Sequence, residues 1–330
     1  MNHRKFGSTS LLVSEVGFGA WAIGGPAKVG DVAIGWGNTD DNVSIAAVHA
    51  ALDRGINFFD TADFYGLGHS EELLGQTLSR EPGLVIATKV GHRVADDQSI
   101  YTDYSYDHII TSCEASLGRL KRDCIDFYQL HTAKVVNLAD GACVRAMEDL
   151  KQAGKIRYWG VSLNTFDPYP EATYLLQHNL GNGLQLVLNI LTQHALPIVL
   201  EAGAKGMGII ARMPLQFGLL TGKFNQNSSF SGSDHRSARL TSDFIKQANH
   251  DLDPIYQMAK KYDTSPAGFA LSYILSYAQI STVIPGMKNP GQVHDNAGQL
   301  VKIEAADVSR IERMYATDFQ SLVQQMTALG

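Results

Sequence analysis

Three short runs constrain this chain more than anything else in it: NFFD ending at Asp60, LVIATK ending at Lys89, and IDFYQLH ending at His131. Each is a β-branched and aromatic stretch that stops at one ionisable side chain. Runs apolar at consecutive positions read as strands buried on both faces, as in a parallel sheet. Sequential parallel strands lie about 4.8 Å apart, so Asp60, Lys89 and His131, with Tyr65 just beyond the first run, converge at one end of the sheet. A carboxylate, an ammonium, a phenol and an imidazole gathered there make an acid–base site. Any one of them alone would read as an ordinary polar strand end.

The runs belong to a regular alternation. From Thr39, residues Asp41 to Arg54 carry Ile45, Val48 and Leu52 at helical spacing and stop at Gly55, a C-terminal cap. Strand Ile56 to Asp60 follows, then a helix capped by Ser70 with Glu71 and Glu72 in its first turn. Next come strand Leu84 to Lys89, a loop rich in Tyr and Asp, and a helix from about Asp107 to Leu120 with Ile109, Cys113, Leu117 and Leu120 on one face. Strand Ile125 to His131 leads to a helix from about Leu138 to Gly154, then strands Tyr158 to Ser162 and Leu184 to Leu188. A helix near Leu196 to Lys205 precedes strand Met207 to Ala211. Counting a first strand that ends just before Trp21, the eighth strand, at Ser281 to Ile284, follows a helix with Ser265 as cap and Pro266 at its first position.

Strand–helix alternation implies parallel strands joined by right-handed crossovers. Eight of them in 330 residues, with no linker or composition break, predict an α/β fold: one domain over residues 1–330, a closed (β/α)8 TIM barrel. Its site lies at the C-terminal ends of the strands, where the ionisable residues fall. An open sheet would gather its ligand at one switch point, whereas polar strand ends here recur all round. Ahead of the barrel, KFGSTSLLVSEVGFGAW holds two apolar runs around a Gly-Ser-Thr-Ser turn, which predicts an N-terminal β-hairpin. GFGAWA, Gly17 to Ala22, matches a dinucleotide-binding glycine pattern, but a Gly-rich loop follows where that fingerprint needs a helix, so a Rossmann site is rejected.

Composition narrows the partners. With 45% hydrophobic and 18% charged residues the chain suits a soluble globular protein, and its net charge of −6 argues against nucleic-acid binding. The longest apolar stretch, Leu184 to Leu200, is interrupted by Asn189, Gln193 and His194, so no membrane association is expected. Cys113, Cys124 and Cys143 read as free thiols, which with no apolar leader points to the cytoplasm. Asp60 and His131 as metal ligands lack paired-His spacing, and no metal is expected.

Taken together, DTADFYG (Asp60 to Gly66), ATKV with Lys89, DFYQLH with His131, GKIRYWGVSLN (Gly154 to Asn164), Gln185, PLQFGLLTGKF (Pro214 to Phe224) and IPGMKNPGQVHDN (Ile284 to Asn296) resemble the aldo-keto reductases, bacterial branch. The resemblance covers nearly the whole chain. It implies NADP(H) lying extended across the barrel mouth and a small-molecule carbonyl or sugar substrate. Tyr65 would protonate the carbonyl oxygen as hydride reaches the carbon. A phenol ordinarily titrates near pH 10; Lys89 would make it a better donor, Asp60 would hold Lys89, and His131 would orient the carbonyl. By the same resemblance Ser162, Asn164 and Gln185 would grip the nicotinamide carboxamide. Backbone donors in Leu215 to Phe224, a stretch that includes Leu215, Gly218, Leu220, Gly222 and Lys223, would cradle the pyrophosphate, and Gly19, Arg212 and Pro214 would also meet the cofactor. Gly286, Lys288, Gln292, Asp295 and Asn296 take the adenosine. Lys288 is either the partner of a 2′-phosphate, favouring NADP(H) over NAD(H), or a solvated loop lysine. Trp21 is either a wall of the substrate pocket or a core tryptophan.

Two departures stand out. Arg212 replaces a tyrosine that stacks on the nicotinamide in much of the family. Either its guanidinium stacks there, disfavouring the oxidised cofactor, or it turns outward. Thr132 replaces the tryptophan of the aldose-reductase branch, implying a more open pocket. The loops Gly91 to Asp107, Ala133 to Leu138 and Asn225 to Leu240 set the substrate, and their His92, Tyr101, Tyr104, His235 and Arg236 fit either a polar substrate or a solvated surface. Beside carbonyl reduction stand a sugar or polyol dehydrogenase running oxidatively and a cofactor-sensing regulatory subunit. Oligomeric state is not legible.

Overall fold

The computed structural model describes residues 1–37, 39–225, 227–230, 234, 236–237 and 239–328. Eight strands form one sheet, with Phe18–Gly19, Phe58–Asp60, Val85–Val90, Ile125–His131, Ile156–Ser162, Gly183–Val187, Gly208–Arg212 and Ile280–Ile284 as successive neighbours. Every pairing is parallel. The first and eighth strands meet through parallel bridges from Val16 to Val283 and from Gly19 to Gly286, and Gly17 N donates to Val283 O at 2.8 Å. The chain is thus a (β/α)8 barrel. A side chain at Gly19 would bring a Cβ within 2.8 Å of Pro285 O, so closure of the barrel by itself requires the glycine that resembled a cofactor contact.

Helices alternate with the strands: Asp41–Asp53, His69–Leu78, Tyr106–Leu120, Ala142–Gln152, Tyr169–His178, Leu196–Ala204 and Pro266–Leu275. Pro290–Ala297, Ala305–Ala316 and Gln320–Ala328 follow the last strand. Most expected elements lie within a residue or two of these bounds, and Ser265 does cap its helix, accepting from Gly268 N at 3.0 Å. Three expectations fail locally. Gly68, at φ 100, occupies the cap position before His69, and Ser70 lies inside the first turn. Its hydroxyl donates to Ala20 O at 2.9 Å and accepts from Thr61 at 2.8 Å, pinning the helix to the barrel rim. The helix expected from Leu138 to Gly154 is two, Val135–Asp140 and Ala142–Gln152, broken at Gly141 with φ 80. The Tyr- and Asp-rich loop carries a small hairpin, His92–Val94 against Ile100–Thr102.

The core falls in two shells because strand side chains alternate between faces. Phe59, Ile86, Tyr128, Leu130, Trp159, Val161, Leu184 and Ile209 face the helices. Phe58, Val85, Ala87, Phe127, Ile210 and Ile284 face the barrel axis. The N-terminal hairpin, His3–Lys5 with Leu12–Ser14, plugs the bottom of that inner shell through Phe6, Leu11 and Val13. The Phe6 ring meets Phe127 edge-on at 4.8 Å, and its full burial contributes about 2–3 kcal/mol. The bottom is therefore sealed by apolar packing, which leaves the top for chemistry. Among the described residues no helix is long and apolar enough to cross a membrane.

Candidate active site

Period-two alternation carries the inner shell upward from Phe58 to Asp60, from Ala87 to Lys89, from Phe127 through Gln129 to His131, and from Ile210 to Arg212. Strand register then brings the groups level: Asp60 pairs with Ala87, Gln129 with Lys89, His131 with Ser162, and Ser162 with Gln185. Above the apolar inner shell the barrel thus turns polar in one step.

Lys89 is fully buried there. Its Nζ donates to Asp60 Oδ1 at 2.6 Å, to Thr61 O at 2.8 Å and to Tyr65 Oη at 3.0 Å. Burial works against its charge, but the Asp60 carboxylate and Tyr65 outweigh that, and its pKa is raised above the ordinary lysine value. Asp60 Oδ2 also accepts from Gln185 Nε2 at 2.8 Å and Gln129 Nε2 at 3.1 Å, so the carboxylate is held on both oxygens. Gln129 escaped the sequence reading. The available signal was its place two residues before His131, on the same face of the strand.

Tyr65 opens a tight turn in which Gly66, at φ 62, presses on Gly24; a Cβ there would lie 2.1 Å from Gly24 O. Trp21 stacks on the Tyr65 ring at 6.1 Å while donating through Nε1 to Ile34 O at 3.0 Å. It lines a cavity shared with Arg212. His131 meets Tyr65 edge-on at 6.1 Å, completing the expected tetrad. Burial, reinforced by His92, Lys89 and Arg212, holds the His131 pKa well below the ordinary range, so its ring is neutral at pH 7. His92 packs against it at 4.5 Å and faces Thr132 Oγ1 through Nε2 at 3.1 Å. Thr132 takes a left-handed backbone, φ 67, unusual for a β-branched residue. Of the loop residues thought to meet substrate, Tyr104 is buried and donates to His131 O at 2.6 Å. Tyr101 is exposed with Arg93 over its ring, Arg236 is paired with Asp234 at 2.6 Å, and His235 lies outside the described residues.

The expected cofactor residues divide. Ser162 donates to Gln185 at 3.3 Å, so these two side chains reach the tetrad through Asp60. Asn164 Oδ1 accepts from Phe166 N and Asp167 N, leaving its amide nitrogen as donor. Arg212 does not turn outward: its guanidinium donates to Thr165 Oγ1 at 2.9 Å and Leu163 O at 3.2 Å. Pro214, Leu215, Gly218, Leu220 and Gly222 lie in a turn where Met213, Gln216, Phe217, Gly218 and Gly222 all have positive φ. Lys223 and Asp295, both expected to touch cofactor, pair with each other at 2.6 Å. Gln292 accepts from Lys288 N at 2.8 Å, Asn296 is buried, Gly286 is exposed, and Lys288 has no ion pair among the described residues. A cavity of about 590 Å³ adjoins Trp21 and Arg212. A shallower hollow of about 700 Å³ lies at the hairpin end around Arg4 and Gln279, away from all these groups.

A second ionisable cluster lies behind the tetrad. Glu71, fully buried, accepts from Thr88 Oγ1 at 2.5 Å and Arg119 Nε at 2.7 Å. Beside it Asp63 has Oδ1 enclosed with no partner among the described residues. Burial, then Glu71, push the Asp63 pKa up to about 8, against the pull of Arg119, the Phe64 backbone and Lys89. An unfolded aspartate titrates near pH 3.9, so the native state binds this proton more tightly and its contribution to stability is lost as pH rises from about 4 to 8. Asp63→Asn removes the titration. The variant is expected to match wild type in Tm at about pH 4 and to exceed it by several degrees at pH 8.5, roughly 1–2 kcal/mol after allowance for relaxation. Thermal unfolding of both proteins at the two pH values checks this, and equal Tm at pH 8.5 contradicts a protonated Asp63.

A model of the Aldo/keto reductase family matches residues 15–316, and the chain belongs to that family. It is similar to the uncharacterized oxidoreductase YqkF of Bacillus subtilis, 29% identical over 98% of this chain and 97% of the relative. It is also similar to the NADH-specific methylglyoxal reductase of Escherichia coli, 29% identical over 95% and 98% of the two chains. Among solved structures the glycerol dehydrogenase AKR11B4 of Gluconobacter oxydans superposes with a TM-score of 0.79 at 29% identity, covering 96% of each chain. These bacterial relatives agree with the branch that the Pro-Leu and Ile-Pro-Gly stretches resembled.

Proposed function

We propose that this chain is an NADP(H)-dependent oxidoreductase that reduces aldehydes or ketones to alcohols, with Tyr65 as the proton donor. The observation that carries the reading is the buried chain from Asp60 through Lys89 to Tyr65 Oη, with hydrogen bonds of 2.6 and 3.0 Å, opening onto a neutral His131. The nicotinamide cofactor supplies the hydride. Tyr65 gives its proton to the carbonyl oxygen, and Lys89 stabilises the phenolate left behind. Asp60 holds Lys89 over the Tyr65 ring, 4.6 Å from its centroid. The neutral imidazole of His131 polarises the carbonyl and sets its approach to Tyr65.

The mouth suits an extended dinucleotide. The Asn164 amide is a donor for the carboxamide oxygen. Left-handed Met213, Gln216, Phe217, Gly218 and Gly222 are interspersed with other conformations in this turn, the kind of backbone that can aim N–H groups at an anion such as a pyrophosphate. Pairing of Lys223 with Asp295 joins this turn to the helix Pro290–Ala297. Lys288, with no carboxylate partner among the described residues, is then the cation for a 2′-phosphate and the reason to prefer NADP(H), although the methylglyoxal relative is NADH-specific by name. The Arg212 charge near the nicotinamide position favours the neutral, reduced ring and hence the reductive direction.

Oxidation of NADPH and NADH against a panel of aldehydes, ketones and sugars tests this. NADPH should give the higher kcat/KM. Lys288→Ala should raise the NADPH KM by about 10-fold, as loss of one charge-assisted contact does, and leave the NADH KM unchanged. Equal use of the two cofactors by wild type, or equal effects of the variant on both, contradicts the NADP(H) assignment.

A further inference from the structure

The cavity beside the tetrad has an uneven charge. Its lining among the described residues includes Arg212 and Arg239 but no aspartate or glutamate. Among the described residues the Arg212 guanidinium is held by neutral groups alone: Leu163 O, Thr165 Oγ1 and, at 3.3 Å, Met213 Sδ. Its Nε is enclosed and has no partner among the described residues. The carboxylate whose field reaches it, Asp60, is already bonded to Lys89, Gln129 and Gln185. His194 Nε2, in the same lining, is also enclosed with no partner among the described residues, but burial lowers the His194 pKa and the ring is neutral. A buried cation with no anion beside it is unfavourable, and burial indeed lowers the Arg212 pKa. Such an arrangement is sustained when a ligand brings the missing charge. Val187, Leu219, Phe244 and Val323 form apolar parts of the wall, beside the uncharged polar Thr192, Gln216, Tyr315 and Thr327.

We infer that the substrate is an aldehyde or ketone bearing a carboxylate, and that this carboxylate is seated on Arg212 while its carbonyl faces Tyr65. The guanidinium fork is the donor geometry that matches a planar carboxylate. The apolar walls take the carbon skeleton between the two ends. The inference rests on the reductase reading for the carbonyl end and on the cavity alone for the anion.

The test compares 4-carboxybenzaldehyde with benzaldehyde at saturating NADPH in wild type, Arg212→Gln and Arg212→Lys, and titrates benzoate against benzyl alcohol by tryptophan fluorescence. Wild type should favour the carboxylate in kcat/KM. Arg212→Gln should lower that preference by roughly 10- to 100-fold, the range for charge-assisted hydrogen bonds, and Arg212→Lys should restore part of it. Benzoate affinity should fall in parallel, with benzyl alcohol unaffected. If Arg212 serves the cofactor instead, Arg212→Gln weakens NADPH binding and slows both aldehydes equally with the ratio unchanged, which overturns the inference. Benzaldehyde turnover without carboxylate preference or benzoate binding also overturns it and leaves the reductase reading standing. Arg212-dependent benzoate binding with neither aldehyde reduced leaves the anion site standing and removes the reductase reading.

Discussion

Tyr65→Phe is expected to lower kcat for carbonyl reduction by about 10³-fold, within the range for loss of a general acid, while NADPH affinity stays within about twofold. The substitution removes one oxygen and little else. The ring keeps its place because Trp21 stacks on it at 6.1 Å and the Gly66 turn behind it is fixed by backbone contact with Gly24. What disappears is the group 3.0 Å from Lys89 Nζ. Single-turnover oxidation of bound NADPH, together with a fluorescence titration of NADPH, separates chemistry from binding. A variant that keeps more than a tenth of the wild-type rate shows that the proton comes from elsewhere, with His131 as the nearest candidate. A wild type that binds NADPH tightly yet turns over no carbonyl moves the protein to a cofactor-sensing role, since the tetrad geometry serves either.

How much of this was legible in the chain depended on which interactions are local. Asp60, Lys89 and His131 could be placed because each ends its own strand, and the parallel sheet then fixes their levels. Which way each side chain points was harder, because strands buried on both faces carry no apolar–polar alternation. Gln129 was missed for that reason: within IDFYQLH it looks like a polar interruption, and only the inward period shared with Phe127 and His131 marks it. Gly19 was expected at the cofactor from the family resemblance; the approach of Pro285 O across the barrel seam is a separate demand for glycine there, with no signal in the local sequence.

Cap chemistry misled at Ser70, where a hydroxyl ideal for a helix N-terminus is used to tie the helix to Ala20 and Thr61 across long sequence separations. The helices Ser242–Asp251 and Asp253–Lys261 were not assigned, although Thr241 caps the first by accepting from Phe244 N at 3.3 Å. Their short apolar faces make sense only against the barrel they cover. Pairings between distant segments, Lys223 with Asp295 and Glu71 with Arg119, have no sequence signal at all. The anion cavity is of this kind. Arg212 was noticed as a departure, but the lack of acidic residues around it is a property of the assembled wall.

Lys89→Met is expected to abolish measurable turnover and to destabilise the fold by about 3–5 kcal/mol, the usual result of removing one partner of a buried ion pair. Lys89 is inaccessible to water, and its ammonium is the only cation bonded to Asp60 among the described residues. Without it the carboxylate keeps the amides of Gln129 and Gln185 and nothing that balances its charge. Because the Lys89 pKa is raised, the pair persists through the neutral range, and its contribution is lost only as pH climbs beyond about 10. The double variant Asp60→Asn with Lys89→Met separates the two roles. Removing both charges should recover most of the lost stability in denaturant unfolding, since no charge is then stranded in the barrel. Activity should not return, since nothing remains to stabilise the Tyr65 phenolate. A single variant as stable as wild type contradicts a buried charge pair. A double variant that regains turnover shows that Lys89 acts by holding the fold rather than by assisting Tyr65.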